Sequence, residues 1–221
     1  MKNTSKEELS EVFVDVRKAY RLLYFYQQRV LDTVKYISDY LTVNIHSGWS
    51  VFSGQQPRNG ARINLDNWAW DWLNMYMYEF YIGKTQDNSG NQYQFAIQVQ
   101  ADTGCYDNLD EEINETDVAN YSAPELAKTQ ILFMIGKNRW KSESKPDPNN
   151  YIYFHNIPAL RGGNDSTFIE INEDQKKLFI LKSYALENFV DEGSIKLQID
   201  DFMAFAESNG ISILKKGKVF F

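Results

Sequence analysis

Residues 6–42 contain neither proline nor glycine. A stretch of that length without the residues that stop helices is the tightest constraint on what this chain can become. Apolar side chains recur every seven residues at Leu9, Val16, Leu23, Val30 and Ile37. A second row follows four residues on (Phe13, Tyr20, Gln27, Val34, Leu41), and a third three residues on (Val12, Ala19, Tyr26, Thr33, Tyr40). On a helix these rows lie side by side. The spacing predicts one helix over 6–42, capped by Thr4 or Ser5, with Glu7 and Glu8 favouring the positive end of its dipole. Its apolar face is broader than a two-helix a/d seam, which suits a helix laid over a sheet or joined to a bundle. At about 1.5 Å per residue it spans on the order of 50 Å, more than a small domain's width. It must break, wrap the domain edge, or project to a partner. Arg17, Lys18 and Arg21 form the densest basic ridge. The plain reading is a solvated helix face, and the sharper one is a contact for an anionic partner.

Beyond the helix, the turn-rich pieces of 46–67 predict loops. Residues 68–82 are aromatic along both alternating faces and predict a central strand. A turn of helix from Asp66 is the rival. Tyr93, Phe95, Ile97 and Val99 alternate with Gln94, Ala96, Gln98 and Gln100, the pattern of a strand with one wet face. The two strands are expected to pair as a hairpin around 83–90. Residues 122–125 fit a capping box and predict a short helix, and 130–135 predict a buried strand. A loop is expected over 142–150, a strand over 151–154, and a hairpin from 167–171 and 177–184. Ser194 is the expected cap of a helix carrying Ile195, Ile199, Phe202 and Ala206, stopped by Asn209-Gly210. A small hairpin closes the chain. The expected fold class is α+β, one domain over 1–221: a mainly antiparallel β-sheet covered by a long N-terminal helix and a C-terminal helix.

Composition narrows the function. The 23 basic residues against 30 acidic ones give −7, which opposes nucleic-acid binding, because phosphates need a positive footprint. At 43% hydrophobic and 15% aromatic, the chain has the material for a real core. One cysteine, Cys105, cannot make an internal disulfide or hold a thiolate metal site alone. Residues 1–10 lack the apolar stretch of a secretory leader, and no run is long and apolar enough to span a membrane. The expectation is a cytoplasmic protein without a membrane.

Candidate chemistry is sparse. His46 and His155 are the only histidines and form no ligand spacing, so neither a metal nor a cofactor is expected. The acidic run 107–117 lacks the glycine of a calcium loop. Asp71 and Glu79 fall on one face of the expected strand, beside Trp68, Trp70 and Trp72. Carboxylates among rings have their charged form disfavoured. They point to a ligand pocket or a general acid, or else to ion pairs with a helix base such as Arg21 or Arg29. The turn around Arg161 offers backbone amides to an anion. Asp102-Thr103-Gly104, followed later by Met134-Ile135-Gly136, resembles the active-site elements of aspartic proteases. That resemblance implies Asp102 sharing a proton with a second aspartate. With a single triplet the second comes from a homodimer, and Cys105 stands where the family has a small residue. The plainer reading is a strand-ending turn.

The first expectation is therefore a non-catalytic binding or accessory protein, working through a protein partner or homo-oligomer. The second is an enzyme or ligand-binding domain using Asp71 and Glu79.

Overall fold

The computed structural model describes residues 5–53, 69–73, 75–106, 117–138, 167–172 and 176–212. Trp68, His155, Arg161, most of the acidic run, the expected 151–154 strand and the closing hairpin beyond 212 lie outside the described residues.

The long helix forms as the pattern dictates. α1 runs Lys6–Leu41 in one piece. Ser5 is its cap: the hydroxyl accepts from Glu8 N, and the Glu8 carboxylate reaches back to Ser5 N at 2.7 Å. The helix stops at Thr42, which adopts a left-handed backbone at φ 57°. That is strained for a β-branched residue.

Six strands follow in one sheet: β1 (Ser47–Ser50), β2 (Met77–Gln86), β3 (Gln92–Gln100), β4 (Gln130–Lys137), β5 (Thr167–Asn172) and β6 (Lys177–Ala185). The order is β1-β2-β3-β4-β6-β5, with every neighbouring pair antiparallel. A second helix, α2 (Glu192–Ser208), closes the fold. The protein is α+β, an antiparallel sheet with one long N-terminal and one C-terminal helix.

Both helices pack on the same face. The lower part of α1 supplies Val30, Val34, Ile37 and Leu41, and α2 supplies Ile195, Ile199, Phe202 and Ala206. Beneath them lie Phe80 and Ile82 of β2, Phe95 and Ile97 of β3, Ile131 and Phe133 of β4, and Ile180 and Tyr184 of β6. Phe133 packs at ring-centroid distances of 5.1 Å from Phe202 and 5.6 Å from Tyr184, geometries that add to area burial.

The opposite face differs from expectation. β3 was expected to wet its glutamines, yet Gln94, Gln98 and Gln100 are all buried. They share that face with Glu79, Gln130 and Ser183. Tyr81 Oη donates to Gln94 Oε1 at 2.8 Å, and Gln130 Nε2 to Gln100 Oε1 at 2.6 Å. These bonds satisfy part of the buried polar layer, Gln98 Oε1 and Gln100 Nε2 are left without a hydrogen-bond partner, and Phe52, Tyr106, Trp70 and Tyr76 pack there as well.

Four local expectations need correction. The tryptophan-rich segment is not strand from its start: Ala69–Trp72 is a 3₁₀ turn, and pairing begins at Met77. Residues 122–125 make a turn rather than a helix, because the following segment is captured by pairing: Lys128 N donates to Thr103 Oγ1 at 2.9 Å just before β4. Asp191, not Ser194, caps α2, while Ser194 returns the reciprocal bond to Asp191 N at 3.0 Å. Finally, β1 forms within the stretch expected to be loop.

Candidate functional site

α1 divides into two parts. From Val30 onward its apolar stripe is buried on the sheet and beside α2. The root is also pinned by polar contacts. The Arg29 guanidinium donates to Phe189 O, Tyr40 Oη donates to Asp200 Oδ1 at 2.8 Å, and Lys196 sits 5.9 Å from the Tyr40 ring centre. Residues 6–25 are all exposed, and the body is first met at Tyr26, which is half-buried and packs against the core. Leu9, Val12, Phe13, Val14, Val16, Tyr20, Leu22, Leu23, Tyr24 and Phe25 are all at least 38% exposed. The row that reaches 1% at Val30 and 0% at Ile37 stands at 42%, 42% and 38% at Leu9, Val16 and Leu23. The helix leaves the body as a rod with an uncovered apolar stripe. Contiguous apolar exposure beyond a few hundred Å² marks an interaction surface.

The expected basic ridge lies on this rod. Arg17, Lys18 and Arg21 are exposed, and Lys18 pairs with Asp15 at 3.0 Å in a solvated i,i+3 contact. Such a pair contributes little to stability. At about 100° per residue, Arg17 flanks the uncovered row, whereas Lys18 and Arg21 turn to the other side of the helix.

The two carboxylates read as partners are not on one strand. Asp71 belongs to the 3₁₀ turn, whereas Glu79 lies inside β2, 1% exposed and in register with Trp49 and Gln98. The shared strand face on which their pairing was argued is absent, because the backbone turns before β2 begins. The tryptophans separate too. Trp70 packs against Phe52 at 5.0 Å and Tyr76 at 4.5 Å and stacks on Tyr121 at 6.0 Å, whereas Trp72 is 54% exposed. Burial, with nearby Cys105, Asp102 and Tyr121 adding to it, pushes the Tyr76 phenol well above its usual range. Tyr76 is thus a neutral member of a ring cluster.

Asp102 ends β3 in a tight turn. Its Oδ1 accepts from Gly104 N at 2.7 Å, and Thr103 pairs through its backbone and hydroxyl with Lys128. Gly104 is sterically confined: a Cβ there would stand 3.0 Å from Asp102 Oδ1 and 3.1 Å from Ser122 Oγ. The carboxylate, hydroxyl and glycine are all engaged in holding the turn.

A cavity of about 360 Å³ at one sheet end is lined by Lys137, Lys176 and Lys177, together with Asn209 and Gly210. The last two end α2, whose outward carbonyls favour cations there. That accounts for the lysines without an anion. Among the described residues no group of histidine, cysteine, aspartate or glutamate could hold a metal, and no helix is long and apolar enough to cross a membrane.

The exposed rod was legible in part: the pattern located the helix and its apolar rows, but exposure along it depends on where the sheet ends. With fold and site in place, comparison with known proteins gives one family. The chain belongs to the PM0109 family, whose sequence profile matches residues 6–212 and so takes in α1, α2 and the six strands of the described residues. No curated protein and no solved structure matches the chain.

Proposed function

We propose that this member of the PM0109 family is a non-catalytic binding or accessory protein that acts through protein–protein contacts made by the projecting part of α1. One observation carries the reading: Leu9, Val12, Phe13, Val16, Tyr20 and Leu23 stand uncovered along one side of α1, while that side is buried from Val30 onward. A helix needs its apolar stripe covered to be stable in water, since most helical stability in proteins comes from such packing. The exposed basic residues Arg17, Lys18 and Arg21 on the same part of the helix add positive charge that steers approach of an anionic partner. The cytoplasm is the proposed compartment, on the strength of a single cysteine that cannot form an internal disulfide.

The test is site-specific photo-crosslinking in the full chain. A crosslinking residue at Tyr20 forms a covalent adduct with a protein, while the same residue at Asp39, near the root, forms none. Absence of any protein adduct at Tyr20 would refute the proposal.

A further inference from the structure

We infer that residues 6–25 of α1 form a separate folding unit, which opens and recloses in the free chain without disturbing the rest of the molecule. The inference concerns the free protein and goes beyond the partner reading, because it specifies the state that any partner meets.

Packing decides where the unit ends. Every residue from 6 to 25 is exposed, Tyr26 is the first to pack against the core, and Val30, Val34, Ile37 and Leu41 are buried. A helix in water is held mainly by its packed face, and a run with few buried contacts opens at low free energy. The polar ties lie beyond the same boundary: Arg29 donates to Phe189 O and Tyr40 Oη to Asp200 Oδ1. Opening that starts at the tip therefore breaks no core packing until it reaches Tyr26.

Local interactions within the unit do not replace the missing packing. Among pairs three or four residues apart, five carry like charges: Glu7–Glu11, Glu8–Glu11, Glu11–Asp15, Arg17–Arg21 and Lys18–Arg21. One carries opposite charges, Asp15–Lys18, and it is a solvated contact at 3.0 Å. On a helix a like-charge pair destabilises about as much as an opposite pair stabilises. The aromatic–leucine pairs Leu9–Phe13, Tyr20–Leu23 and Leu22–Phe25 act on the same scale and offset most of that surplus of repulsion. Intrinsic propensity then decides. Val12, Phe13, Val14, Val16, Tyr20, Tyr24 and Phe25 are poor helix formers, and Ala19 is the one alanine of the segment. The Ser5–Glu8 capping box secures the first turn alone. Closed and open forms are thus of similar free energy.

The packed root supplies a standing nucleus, so reclosing needs no costly first turn. A helical segment of this length winds and unwinds in about 0.1–1 µs. A partner that covers the apolar side selects the closed form, and its apparent affinity is lowered in proportion to the fraction of chains that are closed. Any change that favours the closed form raises that affinity without altering the contact itself.

The test is amide hydrogen exchange on the full chain, free of partner, read peptide by peptide. Amides of residues 10–25 are expected to exchange within about tenfold of an unstructured peptide, and those of 30–41 roughly a thousandfold more slowly or beyond. Protection of 10–25 comparable to that of 30–41 would overturn the inference. Glu11→Lys, at an exposed position far from the body, converts Glu7–Glu11, Glu8–Glu11 and Glu11–Asp15 into opposite-charge pairs. It is expected to raise the protection of residues 12–20 by about threefold or more and to leave 30–41 unchanged. Unchanged or weaker protection of 12–20 in that variant would overturn the inference as well. A Tyr20 crosslink to a protein, in a chain whose residues 10–25 are protected when free, would remove this inference and leave the partner reading standing.

Discussion

Substitutions down a single heptad row of α1 should cost stability after residue 29 and almost none before it. Ile37 is fully buried between the sheet and α2. Ile37→Ala removes three carbons, about 2.4 kcal/mol at roughly 0.8 kcal/mol per buried carbon. The cavity left behind adds to this, giving about 3–4 kcal/mol. For a chain of this size that corresponds to a fall in Tm of roughly 10 °C, at about 2–4 °C per kcal/mol. Leu9 and Val16 belong to the same row but are 42% exposed. Alanine at either should move stability by about 0.5 kcal/mol or less, and the better helix propensity of alanine offsets part of the loss at Val16. The assay is urea unfolding followed by tryptophan fluorescence, below 1 µM so that association does not contribute. A cost above about 1 kcal/mol at Leu9 or Val16, or below about 1 kcal/mol at Ile37, would refute the division of the helix into a packed root and an uncovered rod.

Two further outcomes follow from local geometry. Thr42 closes α1 with a left-handed backbone at φ 57°; Thr42→Gly should relieve that strain and raise unfolding free energy by about 1 kcal/mol, measured by the same titration. Asp201 accepts from Lys182 Nζ at 2.5 Å and Tyr184 Oη at 2.6 Å. Burial pushes its carboxyl upward, but the bonds from Lys182 and Tyr184 outweigh that and hold it below the usual range. A carboxyl depressed in the folded state stabilises above its unfolded value, near pH 4, and loses that contribution as pH falls through the folded value. With the side chain half exposed and screened, Asp201→Asn should cost about 0.5–1 kcal/mol at pH 7. The gap from the parent should close in acid-unfolding curves as pH falls from the unfolded carboxyl value through the lower folded one. A gap that stays constant with pH would contradict the assignment.

What the sequence disclosed depended on whether the signal was local. The α1 span follows from contacts three and four residues apart and appears as read; of the two caps read, Thr4 or Ser5, the structure uses Ser5, and Glu8, read only as a dipole partner, also closes a capping box. The β5–β6 hairpin, with turn residues between its runs, was equally legible; the β2–β3 pairing was read too, but β2 runs on to Gln86, through the first part of the expected 83–90 loop. The tryptophan segment was not. Its aromatic content announced burial, but rings on both alternating faces carry no period, so the 3₁₀ turn at Ala69–Trp72 was indistinguishable from strand. That error also placed Asp71 and Glu79 on one face. The glutamines of β3 misled for another reason: polar alternation normally means water, and only tertiary packing shows that Gln94, Gln98 and Gln100 are covered. β1 is four residues with a glycine and a lone tryptophan, too short to announce itself. For the partner surface, the apolar rows were visible, but the residue at which the body stops covering them was not.

The anchorage of α1 has a mechanical consequence. Its root is tied at Arg29 to Phe189 and at Tyr40 to Asp200, attachment points about 17 Å apart along the axis. The free tip extends about 35 Å past the first of them. A sideways pull on the tip is therefore amplified roughly twofold at the root, and it arrives at α2 and the segment leading into it. Whatever grips the far end has a lever on the C-terminal helix, with the strands as the fixed frame.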